Sequence, residues 1–347
     1  MRRILVTGGA GFIGSSFVRY WAARHPADRL VVLDALTYAG SRENLRGVDG
    51  PGGLRFVHGD IVDGGLVARL FSEESFDTVV HFAAESHVDR SIDGPEDFVR
   101  TNVVGTQVLL DAARTAWRNG SVPEAEVRFH HISTDEVYGS LGPDDPPFTE
   151  RTPYDPSSPY SASKAAADHL VRAYHRTYGL PITISNCSNN YGPRQYPEKL
   201  IPVVLRAALE GRRIPVYGDG SNVRDWLYVD DHCDAIERIL DDGRPGRTYN
   251  VGGRCEVSNL ELVRRICGIL DEVTGGGPHA DLIEFVTDRP GHDFRYGIDT
   301  SRIADELGWQ PTVALEDGLR ETVRWFMDHG FEREPTDHRD ERVPQYR

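Results

Sequence analysis

Tyr160-Ser161-Ala162-Ser163-Lys164 sets a phenol and an ammonium at i and i+4, on one face of a helix. A free phenol titrates near 10, too high for a base at neutral pH. An ammonium one turn away, helped by a cationic ring in a bound cofactor, favours the phenolate, which can then take a proton from an alcohol. Alone, this spacing is common by chance. Upstream lies Thr134-Asp135-Glu136. The Thr134 hydroxyl can bond the same alcohol oxygen as Tyr160. Two tandem carboxyls are not needed for alcohol oxidation. They read either as a turn or helix start, or as an acid and a base for a second reaction.

A third set opens the chain. In Thr7-Gly8-Gly9-Ala10-Gly11-Phe12-Ile13-Gly14, glycines at 8, 11 and 14 follow a strand-like run and begin a helical one. Gly8 permits a tight turn, Gly11 lets backbone approach a pyrophosphate, and Gly14 lets helix pack on strand. The pyrophosphate then sits on the helix N-terminus. Asp34 follows about twenty positions after Gly14, where a carboxylate can bond the adenosine ribose hydroxyls. That carboxylate would repel a 2′-phosphate, so the expected cofactor is NAD rather than NADP. Asp60 and Ile61 end a third strand, where an adenine edge is met, and Ala83 and Ala84 end a fourth. Hydride exchange with NAD gives the Tyr160/Lys164 pair its purpose.

These side chains need a frame. Runs at 4–7, 30–34, 54–59, 78–83, 127–134 and 182–187 are strand-like and almost continuously apolar, as strands buried on both faces should be. Helix-length segments lie between them at 12–25, 65–74, 96–117 and 161–178. The alternation implies an α/β fold, a Rossmann-type doubly wound parallel sheet. After residue 190, Pro and Gly become frequent, which suggests a smaller α+β cap, and 248–251 can return to the main sheet. The expected division is a cofactor-binding domain over 1–188 with a returning segment near 228–252, an interleaved substrate domain over 189–330, and a mobile tail over 331–347. The run 139–159 reads as a long loop beside the site.

Composition narrows the rest. The chain has 347 residues, 39% of them hydrophobic, enough for one large or two interleaved domains. No stretch approaches the roughly 20 apolar residues that span a bilayer. Met1-Arg2-Arg3 leads into no apolar h-region, so no signal peptide is expected. Cys187, Cys233, Cys255 and Cys267 show no CxxC spacing and read as reduced thiols of a cytoplasmic protein. His130-His131 reads as a pair of strand residues, and no metal is expected. A formal net charge of −15 argues against nucleic acid and anionic membranes as partners. An anionic ligand would need local cations to overcome that field.

Further stretches carry a resemblance. They are Asp34-Ala35-Leu36-Thr37-Tyr38-Ala39-Gly40, the run from His81 through Ala83-Ala84-Glu85-Ser86-His87 to Ser91, and Ser133-Thr134-Asp135-Glu136-Val137-Tyr138-Gly139. Downstream come Asn189-Asn190-Tyr191-Gly192-Pro193, Pro197-Glu198-Lys199-Leu200-Ile201-Pro202, Asn222-Val223-Arg224-Asp225-Trp226 and Asp288-Arg289-Pro290-Gly291-His292-Asp293. Over about residues 1–330 the chain resembles the extended short-chain dehydrogenase/reductase family, and within it the nucleotide-sugar 4,6-dehydratases. The Thr-Asp-Glu triplet and the 288–293 stretch are the most specific parts.

The resemblance implies a lyase reaction on dTDP-glucose. Tyr160 deprotonates the C4 hydroxyl as hydride passes to NAD, Glu136 removes the C5 proton, Asp135 protonates the leaving C6 hydroxyl, and hydride returns to C6. The product is the 4-keto-6-deoxy sugar, and the cofactor stays bound. The resemblance also implies cofactor contacts from Phe12, Ile13, Leu36, Thr37, Gly40, Thr101 and Asn190. It assigns substrate contacts to Ser86, His87, Thr134, Asn189, Lys199, Leu200, Pro215, Tyr217, Arg224, Asn259, Arg289 and His292, with Lys199, Arg224, Arg289 and His292 gripping the diphosphate and nucleotide. A homodimer through the helices at 96–117 and 161–178 is expected on the same ground. The alternatives are a 4-epimerase or decarboxylase that leaves Asp135 and Glu136 idle, and an NAD-binding sensor without turnover. Three features depart from the family pattern. Ala35 replaces a frequent Lys and Arg194 a usual aromatic, while the Gly-rich segment 48–53 has no assigned role.

Overall fold

The computed structural model describes residues 1–48, 50–118, 127–288 and 291–331. Six early strands are β1 (Arg3–Thr7), β2 (Arg29–Asp34), β3 (Leu54–His58), β4 (Thr78–His81), β5 (Arg128–Thr134) and β6 (Ile182–Cys187). Next come β7 (Asn189–Tyr191), β8 (Ile214–Tyr217) and β9 (Val223–Tyr228), and β10 (Thr248–Val251) then joins the first group beside β6. The resulting seven-stranded sheet has the order β10-β6-β5-β4-β1-β2-β3, and every pairing in it is parallel. Ile4, Leu5, Val6, Val31, Val32 and Leu33 are all 0% exposed, which explains the unbroken apolar runs: both faces are covered.

On one face lie α1 (Phe12–Arg24) and, later, α8 (Val229–Asp242), joined to the sheet through Phe17, Trp21, Ile236 and Tyr249. On the other lie α2 (Gly64–Glu74), α5 (Thr106–Arg118) and α6 (Pro159–Tyr178), through Phe71, Leu109, Leu110 and Val171. Strand order reverses between β1 and β4. In a doubly wound sheet the crevice at that switch point is where ligands bind.

The segment expected as one helix over 96–117 is three. A short α3 (Val88–Asp93) precedes α4 (Pro95–Phe98), which passes through a π-helical stretch, Val99–Gly105, into α5. The stretch is tied to long-range contacts. It turns Asn102 inward, where Nδ2 donates to Glu85 O (3.0 Å) and Ser163 Oγ (2.8 Å) and Oδ1 accepts from Glu85 N (2.8 Å). One amide side chain thus ties the segment after β4 to α6.

The cap contains α7 (Leu200–Leu209), α9 (Asn259–Thr274) and α11 (Leu315–His329), whereas α10 (Ser301–Leu307) returns to the main sheet, where Ile303 joins the core beside β10 and α8. Strands β11 (Glu256–Ser258), β9 and β7 form a three-stranded sheet, and β12 (Ile283–Val286) pairs with β8. Ile201, Leu205, Leu262, Ile266, Leu319 and Phe326 make its core. Phe331 stacks on Phe326, and the expected tail beyond it, 332–347, lies outside the described residues.

Candidate functional site

The first turn is built as its glycines suggest. Gly8 has φ 69°, and a Cβ there would meet Ala83 N at 2.6 Å, so β1 and β4 close together only over glycine. A Cβ at Gly14 would sit 2.3 Å from Gly8 O. Gly11 caps α1 without a side chain, which leaves first-turn N–H groups open to an anion. Asp34 closes β2 at 8% exposure, with Oδ2 accepting from Ala10 N and Oδ1 from Leu36 N, both at 2.8 Å. Burial raises its carboxyl above the usual range, against the pull of those two donors.

These elements open onto a cavity of about 540 Å³. Along its cofactor end lie Gly8, Gly11, Phe12, Ile13, Gly14, Asp34, Thr37, Gly40, Asp60, Ile61, Ala83, Ala84 and Thr101. Its middle holds Thr134, Asp135, Glu136, Tyr160, Lys164, Asn189 and Asn190. Its far end holds Ser86, His87, Lys199, Leu200, Pro215, Tyr217, Arg224, Asn259 and His292. Leu36 is not on this wall. Its side chain packs into the core with Leu45 and Val48, and its backbone N–H braces Asp34. Arg289 lies outside the described residues.

Tyr160 is placed by the start of α6. Ser158 and Ser161 form a reciprocal capping box, and Pro159 occupies the first turn. Burial, followed by the charge of Glu136, raises the phenol well above its ordinary value, while the Thr134 hydroxyl pulls the other way. Lys164 Nζ donates to Ile132 O at 2.7 Å, and burial pushes the ammonium down.

Thr134 to Tyr138 make a short turn. The Thr134 side chain accepts from Glu136 N, and a 3₁₀ helix follows over Asp135–Tyr138. So the turn reading holds for this triplet. Asp135 is 2% exposed, and its Oδ2 has no hydrogen-bond partner among the described residues. Burial first, then the charges of Glu136 and Asp225, hold its carboxyl well above the carboxylate range despite Arg224. Its neighbour Glu136 is half-buried on the same wall.

The cations needed against the net charge of −15 are at the far end. Arg224, 5% exposed, donates to the carbonyls of Val223 (2.7 Å), Asp293 (2.9 Å) and Phe294 (3.3 Å) and lies 4.2 Å over the Tyr296 ring. Lys199 Nζ donates to Ser86 O at 3.2 Å. His292 Nδ1 is 2.7 Å from Asp288 Oδ1, and its ring meets Tyr217 edge-on at 6.4 Å. Asn189 Oδ1 is a buried acceptor with no partner among the described residues.

Comparison with known proteins follows from this geometry. The family model described as GDP-mannose 4,6 dehydratase matches residues 5–322. The chain belongs to that family.

Within the GDP-mannose 4,6-dehydratase family, the chain is 56% identical over 329 residues to a dTDP-glucose 4,6-dehydratase of Xanthomonas campestris pv. campestris (strain B100), covering 93% of this chain and 92% of that protein. Among solved structures, DesIV, a dTDP-glucose 4,6-dehydratase from Streptomyces venezuelae with NAD bound, superposes with a TM-score of 0.85 at 51% identity, covering 94% of this chain and 97% of that one. The dTDP-glucose 4,6-dehydratase of Bacillus anthracis in complex with NAD gives 0.84 at 45% identity, covering 95% and 97%. The 4,6-dehydratase family wall also includes groups that the sequence reading did not single out. Glu198 faces His87 and Arg90 at 3.6 and 3.7 Å, Tyr196 meets Tyr38 edge-on at 5.5 Å, and Cys187 ends β6 beside the phenol. Glu198 and Tyr196 sit beside Lys199 in sequence, but only packing shows that α3 comes to meet them.

Proposed function

We propose that this chain uses NAD to dehydrate dTDP-glucose to dTDP-4-keto-6-deoxyglucose. The observation that carries this is Asp135. A buried carboxyl that burial pushes well above the carboxylate range stands next to Glu136 in the same cavity as Tyr160 and Lys164. An acid and a base side by side are what elimination of water requires, and a simple alcohol oxidation has no use for them. The Gly8 turn, the open helix end at Gly11 and the Asp34 carboxylate fit a dinucleotide.

When bound, NAD takes hydride from the sugar C4 and returns it to C6, so there is no net oxidation. The protein handles the protons. Tyr160, as the phenolate that Lys164 and the nicotinamide cation would favour, accepts the C4 hydroxyl proton, with Thr134 bonded to the same oxygen, and at the end of the cycle that proton returns through solvent to Asp135. The resulting ketone acidifies C5–H, and Glu136 takes that proton. Asp135 gives its proton to the departing C6 hydroxyl, which leaves as water. Glu136 then returns a proton to C5. Lys164 steadies the cofactor ribose. Lys199, Arg224 and His292 neutralise the diphosphate, joined by Arg289, and Tyr217 with Pro215 flanks the base.

The division into a cofactor half, 1–188 with 228–252, and a substrate half, 189–330, is part of this reading. So is a homodimer, supported by the exposure of Ile92 (47%), Val99 (52%) and Val104 (44%) on one stretch and Tyr178 (49%) at the end of α6. All four cysteines are free thiols, which suits the reducing cytoplasm. Among the described residues no helix is long and apolar enough to cross a membrane.

Mass spectrometry of the reaction tests the proposal. Incubated with dTDP-glucose and no added reductant, the protein should remove one water, and UDP-glucose run in parallel should react far less. Glu136→Gln should retain NAD and slow water loss by about 10²–10⁴-fold. An unchanged sugar mass with the parent chain would overturn the reading.

A further inference from the structure

Behind Lys164 lies a polar network that the proposed steps leave unused. Lys164 is 5% exposed, and its Nζ is committed to Ile132 O at 2.7 Å. Among the described residues it forms no ion pair closer than 4.0 Å. A buried ammonium without an opposing charge is costly. One turn further along α6 stands Asp168, 0% exposed and absent from the cavity wall. Its Oδ2 accepts from Ser133 Oγ (2.9 Å) and Tyr154 OH (2.7 Å). Its Oδ1 lies 3.3 Å from His131 Nε2. The Tyr154 oxygen accepts in turn from Arg172 Nη2 and from Asn186 Nδ2 (3.1 Å).

The other titratable groups around Lys164 supply little negative charge. From β5, His131 is pushed down to about 4, by burial first and then by Lys164, and is neutral. From β4, His81 is pushed well down by burial. From β6, the Cys187 thiol is pushed up to about 12 by burial. On the turn after β5 the Asp135 carboxyl is pushed well up, by burial first, and on α6 itself so is the Tyr160 phenol. Glu136, on that same turn, faces Tyr160 and Asp135. Asp168 differs from these groups. Burial works against its charge, but His131, Arg172 and Lys164 hold its carboxyl below the usual range.

We propose that Asp168 is a positioning residue of this enzyme: fixed by Ser133 and Tyr154, it provides the counter-charge that keeps the Lys164 ammonium protonated and aimed into the cavity. The proposal rests on the NAD-dependent reading above. Asp168 touches no reacting atom and acts through Lys164. A purely structural role would show in stability alone. A counter-charge shows in pH dependence, because removing it lets Lys164 lose its proton at lower pH.

The experiment is NAD binding by calorimetry from pH 7 to 10 on the full chain, with the kcat profile alongside. Asp168→Asn should move the alkaline fall in NAD affinity down by about one pH unit, so that affinity is roughly tenfold weaker on that limb. The alkaline limb of kcat should move with it. Tyr154→Phe and Ser133→Ala keep the carboxylate but loosen it, and should shift both limbs the same way by less. A profile for Asp168→Asn that superimposes on the parent's overturns the proposal, even if the melting temperature falls. If Asp168→Asn does not fold, an unshifted Tyr154→Phe profile overturns it. The binding arm needs no sugar, so a parent chain that binds NAD but removes no water would sink the dehydratase reading and leave this test standing.

Discussion

Burial pushes the Asp135 carboxyl well up, and burial of a titratable group costs stability. With the folded value raised above the unfolded one, the group's contribution is fully present below the ordinary carboxyl range near 4. It is lost as pH rises toward the folded value. Asp135→Asn removes that titration. Relative to the parent, the variant should gain thermal stability between pH 4 and pH 8 while losing about 10²–10⁴-fold in turnover. Melting curves at both pH values, with saturating NAD, decide it; a stability difference independent of pH would show that Asp135 is not held protonated. Around this residue the sequence was informative about identity and silent about state. The triplet 134–136 was visible, whereas the upward shifts of the Tyr160 phenol and the Asp135 carboxyl depend on how much water the finished wall excludes.

The N-terminus of α6 is the element on which the phenol depends. Tyr160 is the second residue of a helix whose start is held by the Ser158–Ser161 box, with Ser161 N donating to Ser158 Oγ at 3.0 Å. Ser158→Ala should cost about 1 kcal/mol of stability, and the frayed first turn should lower kcat several-fold with little change in KM. Urea unfolding and steady-state kinetics on one preparation would check both parts, and an unchanged kcat would mean that packing against Phe98 holds the ring without the cap. Gly14→Ala is the harsher change, since its Cβ would fall 2.3 Å from Gly8 O, and it should release NAD on gel filtration. Elements bounded by strong periodicity or caps were readable in advance. The π-helical stretch was not, because its cause is Asn102 reaching Glu85 and Ser163, residues distant in sequence.

At the scale of the molecule, an apolar stripe on the outer surface calls for a partner. Val99 and Val104 stand 52% and 44% exposed on the π-helical stretch. Replacing both with Asp should leave the fold intact, since neither is in a core, and should convert a dimer to a monomer in light scattering. A parent chain that is already monomeric would remove the homodimer from the proposal. The net charge of −15 predicts a kinetic signature as well. Distant carboxylates repel a nucleotide diphosphate, so adding salt up to about 0.15 M, where screening acts beyond about 8 Å, should speed substrate association. A rate that falls steeply with salt would mean that the local cations at Lys199, Arg224 and His292 dominate even at long range.

The sequence by itself determined what depends on neighbours along the chain. The glycine turn at 8–14, the alternation of buried strands and helices, and the i, i+4 placement of Tyr160 and Lys164 follow from backbone sterics and helical period, which act over a few residues. It also named most of the side chains that line the cavity. The tertiary structure decided what depends on distance across the fold. It turned Leu36 into the core and brought α3 to Glu198. It gave Lys164 an acceptor on β5, and it set Asp168 behind the lysine with Ser133 and Tyr154. Above all it decided protonation, because desolvation and Coulomb energy depend on every group packed around a site.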